Sequence, residues 1–541
     1  MINNPILSGF NSDPCICKRG DDFYLAVSSF EWFPGVPVYH SKDLKNWELI
    51  THILNTQKLS DLRRLPSAKG VWAPCLTWCE TEKLFYLVYS CMNSGNARFF
   101  DVDNFVITAP DITGPWSEPV YIHSAGFDPS VLHDDDGRKY IVSLEWETRE
   151  GYFKPGFICI VEYDAAVGHV VGYPKRIWQG GTKRGCVEGP HLCKINGWYY
   201  LICAEGGTGY GHCVTVARAK NVFGPYENCP YNPILTSTAD FDEMDNDDFL
   251  KPQRYNPYIL LQKAGHGSLI ETNGGEWYMV HHCSRPFTPE LRCTLGRETA
   301  IQRMKWTEDG WPVLDSNANL ALEYTAEPDI PEFPFEKPLV RRDFSVPKMP
   351  IDLYSPRIDS ASFTSFTEKE GWLAVRGQES LSSTNRVSFL GHKLTSLNAY
   401  AQIRMDMDPE VYQEYAGICI YYDNLDFIML RKSWSDKKKT AVLDMIRVNN
   451  GEYSELISKP VELGKEVVSL RVEINGRETR FFWSADETEW HSIGDVYNTS
   501  EFSDEYCKNS DMTGAFLGIA CVDGMLHEKR AFFKYFDYED R

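Results

Sequence analysis

Five times along the chain a turn leads into an aromatic-rich strand centred on a tyrosine. The instances are GDDFYLAV, EKLFYLV, DGRKYIV, NGWYYLI and GGEWYMV, with Tyr24, Tyr86, Tyr140, Tyr200 and Tyr278 in register. Subtraction gives spacings of 62, 54, 60 and 78 residues. Counting back twelve residues from Tyr140, Tyr200 and Tyr278 reaches Asp128, Glu188 and His266, and eleven back from Tyr24 reaches Asp13. The second repeat departs, because Pro74 stands there. A repeated unit that offers an ionisable group at one fixed point predicts a five-bladed β-propeller with those groups gathered on its axis. A large β-sandwich with accidental likeness between strands is the alternative. It does not explain why strand register and polar position recur together.

Short alternating strands with Gly, Pro and Asp turns fill residues 1–324, and no long stretch shows a 3.6-residue period. The repeats exceed common blade lengths, so the extra chain is expected in loops. Residues 325–357 carry Pro328, Pro331, Pro334, Pro338, Pro347, Pro350 and Pro356. That density reads as a linker lying extended against a neighbour. From 358 to 541 the tyrosine repeat is absent but strand patterns continue, with Asn475 and Gly476 expected to turn a hairpin. The second domain is expected to be an all-β sandwich of two sheets.

With 541 residues the chain is too long for one ordinary core, which agrees with two domains. Its net charge of −21 repels polyphosphate and anionic lipid, so nucleic acid and membrane are not expected as partners, whereas a neutral ligand is. The sixteen cysteines are scattered, with Cys15 and Cys17 as CxC and Cys75 and Cys79 four apart. No paired CxxC knuckle occurs, so buried free thiols in a reducing compartment are expected. The start lacks a basic segment followed by a long apolar one, and no run of about 18 apolar residues occurs. A cytoplasmic protein is the expectation.

Asp13 in NSDP, Asp128 in GFDPS and Glu188 in VEGPH each precede proline directly or by one residue, at the start of a blade. A lone Asp-Pro is usually a turn former. Three carboxylates meeting on one axis resist joint ionisation and shift one another's pKa, which suits division into acid and base. Glycoside hydrolysis needs such a division. His266, beside two glycines, either satisfies backbone groups in a tight turn, donates a hydrogen bond on the axis, or ligates a metal that water completes. Phe30, Trp32, Phe33, Trp72 and Trp146 lie in loops near the blade ends, as core packing or as faces for sugar C–H groups. Arg297 in TLGRETA could grip vicinal hydroxyls or form a surface ion pair.

In order along the chain come NSDP, SSFEWFPGVPVYHSKDL, WAP, GFDPS, VEGPH, AEGGT, GHGSLIE, LGRETAIQ, GWPV and TGAFLGI. This series resembles the β-xylosidase branch of glycoside hydrolase family 43, over essentially the whole chain. The resemblance implies a five-bladed propeller followed by a concanavalin A-like sandwich, and inversion at the anomeric carbon. It implies Asp13 as general base, Glu188 as general acid, and Asp128 as the carboxylate that orients and tunes Glu188. Arg297 and His266 would lie near substrate, with Phe30, Trp72 and Trp146 lining two sugar subsites. Two departures stand out. Cys75 replaces an acid that often follows WAP, and Met512 replaces an aromatic that commonly closes the pocket.

The expectation is an exo-acting 1,4-β-xylosidase taking xylose from the non-reducing end of xylobiose and short xylooligosaccharides, with some α-L-arabinofuranosidase activity. No cofactor is required, although Ca2+ on the axis is conceivable, and a homo-oligomer (dimer or tetramer) is expected. The alternatives are an α-L-arabinofuranosidase as main activity, and a non-catalytic sugar-binding propeller, which would not need all three acids. A retaining fructan hydrolase is disfavoured, because no WMNDPN and no Glu-Cys acid motif occurs.

Overall fold

A computed structural model describes residues 1–96, 98–150, 156–238, 250–508 and 512–541. Each tyrosine repeat becomes one antiparallel sheet. Blade one runs Cys15–Arg19, Asp22–Ala26, Gly35–Ser41 and Glu48–Leu54. Blade two starts at Gly70–Cys79, blade three at Ser130–His133, blade four at Glu188–Ile195 and blade five at Gln262–Glu271. These first strands touch one another in a closed ring, one to two, two to three and so on, with five returning to one. They therefore line the axis. All five repeat tyrosines sit in second strands and are buried, where each ring fills the space between its blade and a neighbour. No α-helix occurs among the described residues, and no helix there is long and apolar enough to cross a membrane.

The ring is tied at its ends. Ile2–Asn3 pairs with Tyr324–Thr325, on either side of the five blades. The Asn4 side chain acts as a surrogate backbone unit: Nδ2 donates to the Ile301 carbonyl at 2.8 Å, and the Ile301 N–H donates to Oδ1 at 2.8 Å.

The second domain is a two-sheet sandwich. One sheet is built around Arg530–Asp540, Asn398–Asp406 and Val468–Asn475, the other around Phe516–Asp523, Glu414–Asp423 and Asp426–Ser435. Ile403, Leu470 and Phe533 face Ile418, Leu430 and Ile519 in a core closed to water, as the period of two along each strand requires. The hairpin expected at Asn475 and Gly476 forms one residue later. Asn475 pairs with Glu478, and the loop is Gly476-Arg477 with Gly476 at φ 58°.

The Pro-rich segment lies along the propeller: the Phe333 N–H donates to Asp43 Oδ2 at 2.7 Å and the Ala326 carbonyl accepts from Tyr278 at 3.0 Å. It is not free of ladders, since Ser355–Pro356 pairs with Trp32–Phe33 of blade one and Arg341–Asp343 joins the edge of a sandwich sheet. Trp32 and Phe33, which the sequence allowed as sugar-facing rings, are buried where the domains meet. Trp32 stacks on Phe516 of the sandwich, ring centroids 3.6 Å apart and planes 17° apart. A buried Lys263–Glu505 pair at 2.5 Å and an Ala515 N–H to Thr294 carbonyl bond of 3.1 Å extend this contact.

Removing so large a ring leaves a cavity as well as lost transfer energy, so Trp32→Ala is expected to cost about 3–5 kcal/mol. The shift in urea midpoint of the full chain measures it. A loss below about 1 kcal/mol would show that the stack does not hold the domains together.

Candidate active site

Near the start of each innermost strand the chain makes one left-handed turn. The residues there are Asp13 (φ 53°), Ala73 (37°), Asp128 (53°), Gly189 (56°) and His266 (53°). For anything but glycine that conformation costs roughly 1–3 kcal/mol, so four such residues at one point of the repeat mark a constraint of the scaffold. Superposing blades on this turn corrects the tyrosine count. In blade two the equivalent residue is Ala73, not Pro74. In blade four it is Gly189, so Glu188 stands one residue early, because Tyr200 pairs with Cys193 seven residues back, whereas Tyr140 and Tyr278 pair with Leu132 and Ile270 eight back.

Asp13 is buried and fully engaged. Oδ2 accepts from Ser28 Oγ at 2.7 Å. Oδ1 lies 3.2 Å from His282 Nδ1, 3.4 Å from Arg297 Nη1 and 3.8 Å from His266 Nδ1. Burial works to raise its pKa, but the Arg297 guanidinium, the His282 hydrogen bond and His266 together hold it well below the usual carboxylate range. Burial pushes His282 down to about 3, so its ring is neutral. A neutral ring beside an anion turns Nδ1–H toward Asp13. Nε2 then accepts from His212 Nδ1, 2.7 Å away, whose proton is shared with the Lys263 carbonyl at 3.1 Å. Ser28, His282 and His212 carry no repeat signature in the sequence. HHC and GHC offer histidines, but nothing in their spacing says which face the axis.

Asp128 has the opposite environment. Oδ2 accepts the Gly189 N–H at 3.0 Å, while the Asp128 N–H donates to Ser90 Oγ at 3.1 Å. Burial first, then the charges of Glu188 and Asp13, push its pKa well above the ordinary value. Glu188 is half-buried at the head of its strand. Because Gly189 follows it directly, the bond from Asp128 to the Gly189 N–H fixes the backbone that carries Glu188.

Arg297 joins this centre to the sandwich. Nη1 reaches Asp13, Nη2 donates to the Met512 carbonyl at 2.9 Å, and the guanidinium lies 5.7 Å from the centroid of Phe30. Met512 is itself left-handed (φ 85°), and its N–H donates to Asp504 Oδ1 at 2.9 Å. Gly296 keeps Arg297 in place by close approach: a Cβ there would run into the Thr513 carbonyl. Residues 509–511, just before Met512, lie outside the described residues.

The expected aromatic residues form a continuous wall. Phe30 packs on Trp72 at 5.9 Å, and Trp72 meets Phe127 edge-on at 5.6 Å. Phe127 and Phe100 both contact Trp146, at 6.1 and 4.9 Å. Phe30 is almost wholly covered and supports the others, while Trp146 and Phe100 are only partly buried and keep free ring surface. Phe100 and Phe127 were not foreseen, although Phe127 immediately precedes Asp128.

Around His266 stand one Asp13 oxygen, the Gly189 backbone, the rings of His191 and His282 at 6.0 and 6.1 Å between centroids, and Arg297. A Ca2+ ion there would take most of its six to eight oxygen ligands from water. His266 is placed to donate to Asp13 or to a substrate oxygen.

Comparison with known proteins agrees with this fold. Residues 2–312 match the model of glycosyl hydrolases family 43, and 341–539 match that of the beta-xylosidase C-terminal concanavalin A-like domain. A beta-xylosidase of Bacillus subtilis (strain 168) is 37% identical, with 100% of both chains covered. A xylosidase/arabinosidase 43B of Humicola insolens is 38% identical, over 99% of this chain and 97% of its own. The crystal structure of a xylan beta-1,4-xylosidase from Bacillus halodurans C-125 superposes with a TM-score of 0.94 at 40% identity, covering 100% of both chains.

Asp128 links stability to pH. Its folded pKa is raised, so its contribution is most favourable below the unfolded pKa of about 3.9 and is lost as pH rises through the folded value. Asp128→Asn keeps an oxygen for the Gly189 N–H and removes the buried charge. It is therefore expected to raise Tm above wild type at pH 8, to gain less near pH 4, and to lower kcat by about 10²-fold. Thermal unfolding at both pH values with steady-state kinetics measures this; a Tm gain independent of pH would contradict it.

Proposed function

The chain belongs to glycosyl hydrolases family 43, and from that premise we propose that it is an exo-acting, inverting 1,4-β-xylosidase. It releases xylose from the non-reducing end of xylobiose and other short xylooligosaccharides. The observation that carries this reading is the unequal treatment of carboxylates in one buried cluster. Asp13 is held ionised by Arg297, His282 and His266, whereas Asp128 is pushed toward its protonated form beside Glu188.

The family pattern supplies the roles, and that asymmetry supports the first of them. Asp13, with a lowered pKa, accepts a proton from water as the water attacks the anomeric carbon. Glu188 gives its proton to the departing glycosidic oxygen. Asp128 is a positioning residue, holding the backbone of Glu188 through Gly189, and the two carboxyls resist joint ionisation. After one turnover Asp13 carries the proton that Glu188 has lost, and exchange with solvent restores both. A spacing of about 6.5–9.5 Å between base and acid leaves room for that water. His266 and Arg297 are offered to sugar hydroxyls, with Trp72 and Trp146 against the pyranose faces.

The contact between the Met512 carbonyl and Arg297 sets the sandwich at the mouth of this pocket, which favours chain ends over polymer interiors. Because one relative is named a xylosidase/arabinosidase, we include α-L-arabinofuranosides as secondary substrates. All sixteen cysteines are unpaired, which supports the cytoplasmic reading, and a homo-oligomeric enzyme, dimer or tetramer, remains part of the proposal.

Proton NMR of the first-formed product tests the stereochemistry. A β-linked xyloside is expected to yield α-xylose before mutarotation; initial β-xylose, or a trapped glycosyl-enzyme, would refute the assignment. The acid role has its own test. Glu188→Ala is expected to lose about 10²–10⁴-fold on xylobiose yet far less on an aryl xyloside whose leaving group needs no proton. Equal losses on both substrates would remove Glu188 from that role.

A further inference from the structure

Two residues beyond the left-handed turn, each innermost strand presents another equivalent position. Addition of two to 13, 73, 128, 189 and 266 gives Cys15, Cys75, Ser130, His191 and Ser268, one from every blade. We propose that Cys15, Cys75 and His191 bind a soft metal ion, Zn2+ foremost, on the propeller axis one step along the strands from the acids.

The three ligand atoms all lie within 4.8 Å of one another, and Cys75 Sγ is 4.0 Å from His191 Nδ1. Tetrahedral zinc with Zn–S of about 2.3 Å and Zn–N of about 2.0–2.1 Å needs ligand atoms roughly 3.5–3.8 Å apart. The gap is closed by side-chain rotation of less than about 1 Å. Both cysteines are buried, and neither is in a disulfide.

The surroundings are those of a ligand set. Cys15 Sγ accepts from the Leu76 N–H at 3.3 Å and from Ser268 Oγ at 4.0 Å, the outer-shell donors a thiolate ligand takes, and as a thiol it donates to the Leu76 carbonyl at 3.5 Å. Ser130 Oγ, the fourth member of the ring, is buried with no hydrogen-bond partner in the protein. A water on the metal would supply one. Binding is balanced by release of two thiol protons: Zn2+ and two Cys–SH give a dithiolate complex and 2 H+, with His191 entering unchanged. Such an ion would pin blades one, two and four together. Cys75, the departure from the acid expected after WAP, becomes a ligand.

The test uses the full chain kept reduced, stripped with a chelator, loaded with Zn2+ or Co2+ and dialysed. The expected result is one ion per chain, a sulfur-to-cobalt charge-transfer band with the ligand-field bands of a tetrahedral site, and a higher Tm. Cys75→Ala and Cys15→Ala are expected to lose all three, while Cys91→Ala, which alters a thiol outside the ring, keeps them. Should the ring variants fail to fold, X-ray absorption of the zinc-loaded wild type decides, with two sulfurs at about 2.3 Å expected. A shell of nitrogen and oxygen only, wild type that retains no ion, or equal uptake by Cys75→Ala would overturn the proposal. So would air oxidation that joins Cys15 to Cys75 in protein that takes up no metal when reduced.

Discussion

Everything functional in this protein hangs on a turn that most L-amino acids avoid. Asp13, Ala73, Asp128 and His266 adopt φ between 37° and 53° at one point of four blades, and Gly189, at 56°, turns the same way in blade four. Each non-glycine instance is strained, and the ladders on both sides hold it. The return on that strain is direction. A strand alternates its side chains between two faces, so an ordinary strand start would send the first side chain into a blade interface. The left-handed residue breaks the alternation and lets five chains deliver side chains toward a common axis. Ionisable groups occupy the first level, at or beside the turn, and sulfur, imidazole and hydroxyl groups the second.

Gathering charges in so dry a place raises the question of what keeps them apart in pKa. Coulomb interactions there are barely screened, so a single guanidinium decides the outcome. Arg297 stands beside Asp13, and neutral His282 and His266 add donors without adding a second cation. Asp128 receives one backbone N–H and two carboxylate neighbours. The same cluster therefore contains one committed anion, Asp13, and a pair, Asp128 and Glu188, that resists joint ionisation, so that a base and an acid can coexist at one pH. Arg297 is in turn oriented by the Met512 carbonyl, so the ionisation of a propeller residue depends on a loop of the sandwich.

Much of this was legible in the chain. The tyrosine register survives because each ring is needed to fill the space between blades, so spacing in sequence translates into position in space. Asp13, Asp128 and His266 were legible for the same reason. Glu188 was found with a count that was off by one, because the chain round the hairpin of blade four is one residue shorter than in blades three and five, which spacing alone does not show. His282, Ser28 and His212 were not legible: His282 reaches Asp13 from a second strand and Ser28 from a loop, while His212 acts through His282. Trp32 looked like Phe30 and Trp72 in sequence, and only the docking of Phe516 shows that it serves the domain contact.

The two departures from the family pattern differ in kind. At Met512 the atom that matters is the main-chain carbonyl that receives Arg297, and any residue able to hold φ near 85° supplies it. Replacing an aromatic there alters the lining of the pocket while leaving the orientation of Arg297 intact. At Cys75 the side chain itself lies on the axis, against Cys15 and His191. A carboxylate at that point would add a fourth negative charge within reach of Asp13, Asp128 and Glu188, raising the pKa values that Arg297 has to offset. A thiol stays neutral when buried and imposes no such load: burial, with Cys15 alongside, holds the Cys75 pKa far above neutrality, its hydrogen bond to Cys15 contributing most. The substitution thus relieves the acids of a competing charge and, with Cys15 and His191, turns the second level of the axis from hard donors to soft ones.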